Sequence, residues 1–295
     1  MNTAAQAAVE KALSLSIWKA PHQAALLGGG ITNFNVMLTD RGQRYVVRVG
    51  QDIPLHQIMR FNELAVHRAA QAIGVAPAVI HAEPGILVLE FVDGGSLDEA
   101  AVRNDDMLAR IIPMVKRCHT EGMQALRGPI LTFWVFHVLR DYAASLREGN
   151  SAYQPLLEPL LQTASKLEQA VGPVQLVLGH NDLLAANILD DGTRLWLLDW
   201  EYGGFNSPLF DLAGLASNNA LSEAQEHAML ESYFETPLTQ QIAHQYHAMK
   251  CASLLRETMW SMVSEIHSEI DFDYAVYTEK NLTRFKAALS DFQSM

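Results

Sequence analysis

His180, Asp182 and Asn187 fall in one short run, His180-Asn181-Asp182-Leu183-Leu184-Ala185-Ala186-Asn187, and Asp199 closes the apolar stretch Trp196-Leu197-Leu198 that follows. The spacing is His-x-Asp-x-x-x-x-Asn. A carboxylate held beside an imidazole can orient a hydroxyl and take its proton. An amide oxygen and a second carboxylate suit a hard cation such as Mg²⁺, which prefers oxygen ligands. Together these are the requirements of phosphoryl transfer, where an attacking hydroxyl is aligned and phosphate charge is held by metal. Taken singly, His180 and Asn181 also fit as turn caps and Asp199 as a strand end. Four such residues in this order on a β-loop-β unit favour chemistry.

The elements that position them change in texture along the chain. Short β-rich runs at 24–27, 35–38, 45–49, 79–81 and 86–92 are separated by turn chemistry such as Gly28-Gly29-Gly30 and Asp40-Arg41-Gly42, which predicts hairpins. One helix interrupts them, expected over 55–73 and stopping at Gly74. After Gly95, helical patterns cover 105–121, 131–147, 153–170, 208–217, 222–234, 238–265 and 272–291. A β island at 174–178, 187–189 and 195–198 breaks that series. The expected class is α+β and bilobal: a small antiparallel β lobe with one helix over 1–92, a linker near 90–95, and a larger, mainly helical lobe over 93–295. Ligands favour such an interface.

Composition narrows the partners. With 21 Lys plus Arg against 33 Asp plus Glu, the 295-residue chain carries a formal charge of −12, which argues against nucleic-acid binding through the phosphate backbone. Hydrophobic residues make up 49% and charged residues 18%, a globular balance rather than a disordered one. Apolar runs such as 85–89 are strand-sized, so no membrane insertion is expected. Glu10 and Lys11 interrupt the N-terminal pattern, unlike a signal peptide. Two distant cysteines, Cys118 and Cys251, predict no disulfide framework and fit a cytoplasmic setting.

The His-x-Asp-x-x-x-x-Asn loop matches the catalytic loop of protein kinases, and the chain resembles the choline/ethanolamine kinase branch of the aminoglycoside phosphotransferase superfamily. Gly29-Gly30-Ile31-Thr32-Asn33 resembles that family's phosphate loop, Tyr45-Val46-Val47-Arg48 its third strand, and Leu198-Asp199-Trp200-Glu201-Tyr202 its metal-binding strand. Phe272-x-Tyr274-x-x-Tyr277 with Arg284-Phe285 resembles its C-terminal helix. The resemblance implies a protein-kinase-like fold, ATP and Mg²⁺, and a small-molecule alcohol acceptor carrying positive charge, choline or ethanolamine first. Thiamine, an aminoglycoside or a sugar are alternative acceptors, and a catalytically silent nucleotide-binding regulator is an alternative class. Only eight residues separate Asp199 from Pro208, too few for a protein-kinase activation loop. The oligomeric state stays open.

By the same resemblance, Asp182 is the base, Asn187 and Asp199 hold the metal, and His180 fixes the loop rather than joining the chemistry. Gly29, Gly30, Thr32 and Asn33 approach the triphosphate, and Arg48 contacts its phosphates. Glu63 is the expected partner of Arg48, although it also fits an ordinary helix charge paired with His67. The backbone of Glu90 to Val92 is expected to bind adenine. Asp211 is expected to anchor the catalytic loop from below. The acceptor is expected among Glu201, Tyr202, Trp260 and Tyr277, with Glu201, Tyr202 and Glu257 adding negative charge for a cation. Trp260 is expected either to face an ammonium group or to pack between the terminal helices beside Met259 and Met262. Two positions depart from the family pattern: Val263 replaces a second Trp and Leu184 a Gln.

Overall fold

Alternation decides the first sheet. Along the strand Gln43–Val49, Val47 turns into the sheet's own core while Val46 and Arg48 turn to the opposite face and line a cleft, as a two-residue period requires. The computed structural model describes residues 3–28, 33–268 and 272–295. Five antiparallel strands, β1 (His22–Leu27), β2 (Phe34–Asp40), β3 (Gln43–Val49), β4 (Val79–Glu83) and β5 (Ile86–Glu90), form one sheet in the order β1-β2-β3-β5-β4. A helix that the sequence reading did not separate out, α1 (Thr3–Leu13), lays Ala12, Val9 and Leu13 on Val36, Leu38, Val47 and Val88. The β lobe therefore carries two helices rather than one.

The second, α2 (Arg60–Ala72), starts later than expected. Pro54–His56 forms a short 3₁₀ turn that stops at Gln57, whose φ of +63° is left-handed, and Ile53 and Ile58 pair through their backbones at 2.8 and 3.1 Å. Asp52 then accepts the Arg60 N–H at 2.7 Å, restarting the helix at Arg60. Its far end follows expectation, stopping before Gly74 at φ +70°.

The helix does not share the sheet's core. Ile58, Val66, Ala69, Ala70 and Val75 belong to the same buried cluster as Ile111, Val115, Leu178 and Leu197, whereas Val36, Leu38, Val47, Ile86 and Val88 form a separate one with Ala12 and Leu15. Hydrogen bonds reinforce this seating: Asn62 donates to the Gly203 carbonyl at 2.7 Å and accepts from Leu131 N–H at 2.9 Å. Contact is so close that a Cβ at Gly203 would lie 2.6 Å from Val66 Cγ1, which only glycine avoids.

The larger lobe begins with β6 (Gly95–Ser96), α3 (Glu99–Val102) and α4 (Asp105–Arg117). The helix expected to run to residue 121 instead widens into a π turn, Cys118–Gly122, before α5 (Met123–Ala125); such turns often serve functional sites. After α6 (Val135–Glu148) and α7 (Gln154–Val171), short strands β7 (Val177–Gly179), β8 (Ile188–Asp190), β9 (Leu195–Leu197) and β10 (Gly204–Asn206) build two small sheets, β10-β7 and β6-β8-β9. The chain closes with α8 (Pro208–Asn219), α9 (Glu223–Phe234), α10 (Gln240–His267) and α11 (Tyr274–Ser294). Among the described residues, no helix is long and apolar enough to cross a membrane.

Candidate active site

The loop between β7 and β8 carries the residues singled out by spacing, and it is held from beneath. Asp211, in the first turn of α8, accepts the backbone N–H of His180 at 2.7 Å and of Asn181 at 2.6 Å. The same carboxylate lies 2.9 Å from Nε2 of His119, which the π turn delivers and whose Nδ1 sits 2.8 Å from the Tyr233 hydroxyl. Asn181 and Asp199 both adopt left-handed backbone, at φ +67° and +61°; for such residues this costs about 1–3 kcal/mol each and persists only where surroundings enforce it. Asn181 is enforced by donating to the Tyr202 carbonyl at 2.9 Å and accepting from Asn206 at 3.0 Å.

His180 is a holding residue. Its Nε2 donates to the Leu198 carbonyl at 2.7 Å, its Nδ1 accepts the Asp182 N–H at 3.3 Å, and its ring meets Trp200 edge-on at 4.6 Å. Burial lowers its pKa, which agrees with a neutral ring protonated on Nε2.

One half of the site faces the sheet. A cleft of about 480 Å³ lies between β3, β5 and the catalytic loop, walled by Val46, Pro77, Leu89 and Leu198, with Arg48, Asn187 and Asp199 at one end. Arg48 bridges Glu63 (2.9 Å), Asp199 (2.8 Å) and Glu201 (3.4 Å), and Arg60 bridges Glu63 (2.7 Å) and Glu201 (3.0 Å). Glu63 is thus the partner of Arg48 rather than a solvated charge. Glu201 is a correction: expected beside the acceptor, it turns to the two arginines and accepts from Asn33 at 3.2 Å, because a carboxylate this buried needs cationic partners. Arg60 escaped the sequence reading, since the expected helix ran through it without a break.

Burial pushes the Asp199 carboxyl up, but the charge and hydrogen bond of Arg48, with His180 and Arg60 beyond, outweigh it and hold the group below the usual carboxylate range. Gly29, Gly30 and Thr32 lie outside the described residues. At the linker, the Glu90 N–H is spent on the Ala78 carbonyl and the Phe91 N–H on the Arg44 carbonyl, while Val92 lines the cleft. A second cavity of about 440 Å³ lies behind Arg48, between α2 and the β4–β5 turn; it does not reach Asp182.

The other half faces α10 and α11. Asn187 Nδ2 donates to the Asp182 backbone carbonyl at 3.0 Å and to its carboxylate at 3.1 Å. Loss of water, opposed by Arg256 and reinforced by Glu257, Asp199 and Glu201, pushes the Asp182 carboxyl up to about 8. Arg256 stacks over the Tyr202 ring at 4.4 Å and reaches Glu257 at 3.0 Å. Tyr277 donates to Glu257 at 2.7 Å, and Trp260 Nε1 donates to the Tyr202 hydroxyl at 3.1 Å. The structure therefore brings Tyr202, Trp260 and Tyr277 together and leaves Glu201 in the other half. Trp260 is 6% exposed and belongs to the main buried cluster, with its indole N–H turned to Tyr202. Arg256 was not foreseen; its signal was an Arg-Glu pair within the otherwise uncharged stretch 251–263.

Fold and site define a bilobal phosphotransferase, and three comparisons agree. Residues 25–242 match the choline/ethanolamine kinase family model, and the chain belongs to that family. That makes it a kinase whose acceptor is a small alcohol. The protein LicA of Haemophilus influenzae is 29% identical over 262 residues, covering 84% of this chain and 75% of LicA. A choline/ethanolamine kinase family protein of Mesorhizobium loti superposes with a TM-score of 0.78 at 24% identity, over 96% of this chain and 94% of that one. Choline kinase LicA of Streptococcus pneumoniae superposes at 0.76 and 23% identity, over 98% and 99%. Aminoglycoside phosphotransferases share the fold. The matched span ends before Trp260 and Tyr277.

Proposed function

We propose that the protein transfers the γ-phosphoryl group of ATP, with Mg²⁺, to the hydroxyl of choline or ethanolamine, in the cytoplasm. The observation that carries this reading is the placement of Asp182, joined to Asn187, between a cleft that Asn187, Asp199 and Arg48 line and a cluster of Tyr202, Trp260, Tyr277 and Glu257. The apolar walls of the cleft suit a purine, and the family's relatives named as choline and ethanolamine kinases support the acceptor class.

The donor set suits Mg²⁺. Two arginines against Glu63, Asp199 and Glu201 leave a surplus negative charge, and Asn187 has committed its amide N–H groups but not its oxygen. No group of three His, Cys, Asp or Glu among the described residues is arranged to hold a metal, so the remaining ligands would come from the phosphates. Asn187 and Asp199 would hold the ion, which would neutralise charge on the transferred phosphoryl group. Asp182 aligns the acceptor hydroxyl and takes its proton, and a carboxyl with a pKa near 8 holds that proton readily. Arg48 draws the phosphates toward the metal residues while Glu63 and Glu201 hold its guanidinium in place.

A coupled ADP-release assay with choline, ethanolamine, thiamine, an aminoglycoside and a neutral alcohol tests the reading. Mg²⁺-dependent release with choline or ethanolamine well above the rest is expected. Preference for any other acceptor overturns it.

A further inference from the structure

Most of the aromatic surface near Asp182 is already in use. The Tyr202 face lies under Arg256 at 4.4 Å, and the Trp260 ring is packed by His56 (5.4 Å), Tyr274 (6.0 Å) and Tyr277 (6.4 Å). His56 is a neutral ring, pushed down to about 3 by burial and then by Arg256 and His267. A quaternary ammonium group has no N–H and relies on open aromatic faces; the Tyr202 and Trp260 rings are largely covered, and the exposed ring of this cluster is Phe272, 5.6 Å from Tyr277.

Glu257 offers something different. It lies three residues before Trp260, on the same face of α10, and keeps 22% of its side chain exposed. Its Oε1 accepts from the Tyr277 hydroxyl at 2.7 Å and its Oε2 from Arg256 at 3.0 Å. Those two bonds fix its rotamer, and each oxygen retains a second lone pair. Its two partners place it in the acceptor half of the site, since Arg256 covers Tyr202 and Tyr277 meets Trp260 at 6.4 Å.

Resting on the reading of a kinase for a cationic alcohol, we propose that Glu257 selects the acceptor by taking N–H bonds from a primary or secondary ammonium. The preferred substrate is then an amino alcohol that bears N–H hydrogens. Charge-assisted bonds of this kind are about twice as strong as neutral ones, and a site built to receive a hydrogen bond rejects an analogue lacking it more sharply than an apolar pocket rejects a change in size.

The graded series ethanolamine, N-methylethanolamine, N,N-dimethylethanolamine and choline tests this with the full chain at saturating Mg-ATP. Wild-type kcat/KM is expected to fall along the series, with ethanolamine favoured over choline by about tenfold or more. In Glu257→Gln that ratio should fall by about tenfold through KM for ethanolamine, with KM for ATP unchanged. Because the ratio cancels effects common to both acceptors, altered charge beside Asp182 does not confound it. A wild-type ratio at or below one, or a ratio unchanged in Glu257→Gln, overturns the inference while leaving the kinase reading intact. Failure to phosphorylate any of the four overturns both. The wild-type series needs no variant, so it decides even where Glu257→Gln folds poorly.

Discussion

Asp199, which lines the cleft, and Asp182, held beside it by Asn187, titrate in opposite directions. On the nucleotide side, Arg48 and Arg60 surround Asp199 and keep it ionised. On the acceptor side, Arg256 is the arginine that acts most strongly on Asp182, it is already engaged by Glu257, and Asp182 is pushed up to about 8. The difference separates two tasks. A group that holds a cation has to stay charged, whereas a group that receives a proton has to bind it well. The number of arginines within reach, rather than burial, divides the roles, since burial pushes both carboxyls upward.

The sharpest way to break that contrast is to remove the proton acceptor. Asp182→Ala should lower kcat by about 10²–10⁴-fold, with the dissociation constant for ATP near wild type by calorimetry; retention of more than about a tenth of kcat would mean the base lies elsewhere. Next in size, Arg48→Met strips the nucleotide side of its central cation and leaves Glu63, Asp199 and Glu201 under-compensated. A stability loss of about 3–5 kcal/mol in chemical denaturation is expected, and an unchanged midpoint would show the network to be well hydrated. Asp199→Asn keeps the shape and removes the charge. It should lower kcat by about 10²–10³-fold and raise the Mg²⁺ concentration needed for half-maximal rate.

The elevated carboxyl also gives a pH test whose sign is fixed. As the proposed base, Asp182 would work deprotonated, so kcat/KM should climb as pH rises toward about 8 and then level, a limb set by the free enzyme. For stability the sign is reversed. A carboxyl whose folded pKa exceeds its unfolded value contributes fully below the unfolded value near 3.8, and that contribution drains away as pH rises through about 8. Asp182→Asn should therefore melt a few degrees above wild type at neutral to basic pH, and no higher near pH 3. A melting gain that persisted at acid pH would point to packing instead of charge. The smallest effect belongs to Trp260→Phe, which loses the bond to the Tyr202 hydroxyl. About 1 kcal/mol of stability should go, with KM for ATP unchanged.

Much of the nucleotide side was legible in the sequence because its residues lie at fixed intervals along strands and one loop. His180, Asp182, Asn187 and Asp199 fall on a β-loop-β unit whose spacing sets their geometry, and Arg48 on β3 finds Glu63 on the next helix. Glu201 was misplaced because it lies in the middle of the loop between β9 and β10, where the backbone direction decides between Arg48 and the aromatic cluster. Arg60 was hidden by a helix boundary that depended on one left-handed residue, Gln57. Arg256 was hidden for a different reason: pattern reading scores α10 as a core helix, and a charged residue in its buried stretch has meaning only once Tyr202 and Asp182 are known to lie opposite. Long-range pairing of this sort leaves no periodic trace.

The seating of α2 in the larger core has a mechanical consequence. Arg48 and Asn33 ride with the sheet, while Glu63, Asp199 and Glu201 stay with the helical lobe. Arg48 makes three ion pairs across that boundary and Asn33 adds a hydrogen bond. Any tilt of the sheet away from the helices loads these contacts together, and α2 does not follow to relieve them. They act as a latch across the mouth of the cleft, with the torque concentrated on one guanidinium group, so the distance from Arg48 to Glu63 becomes a gauge of how far the two bodies have swung apart.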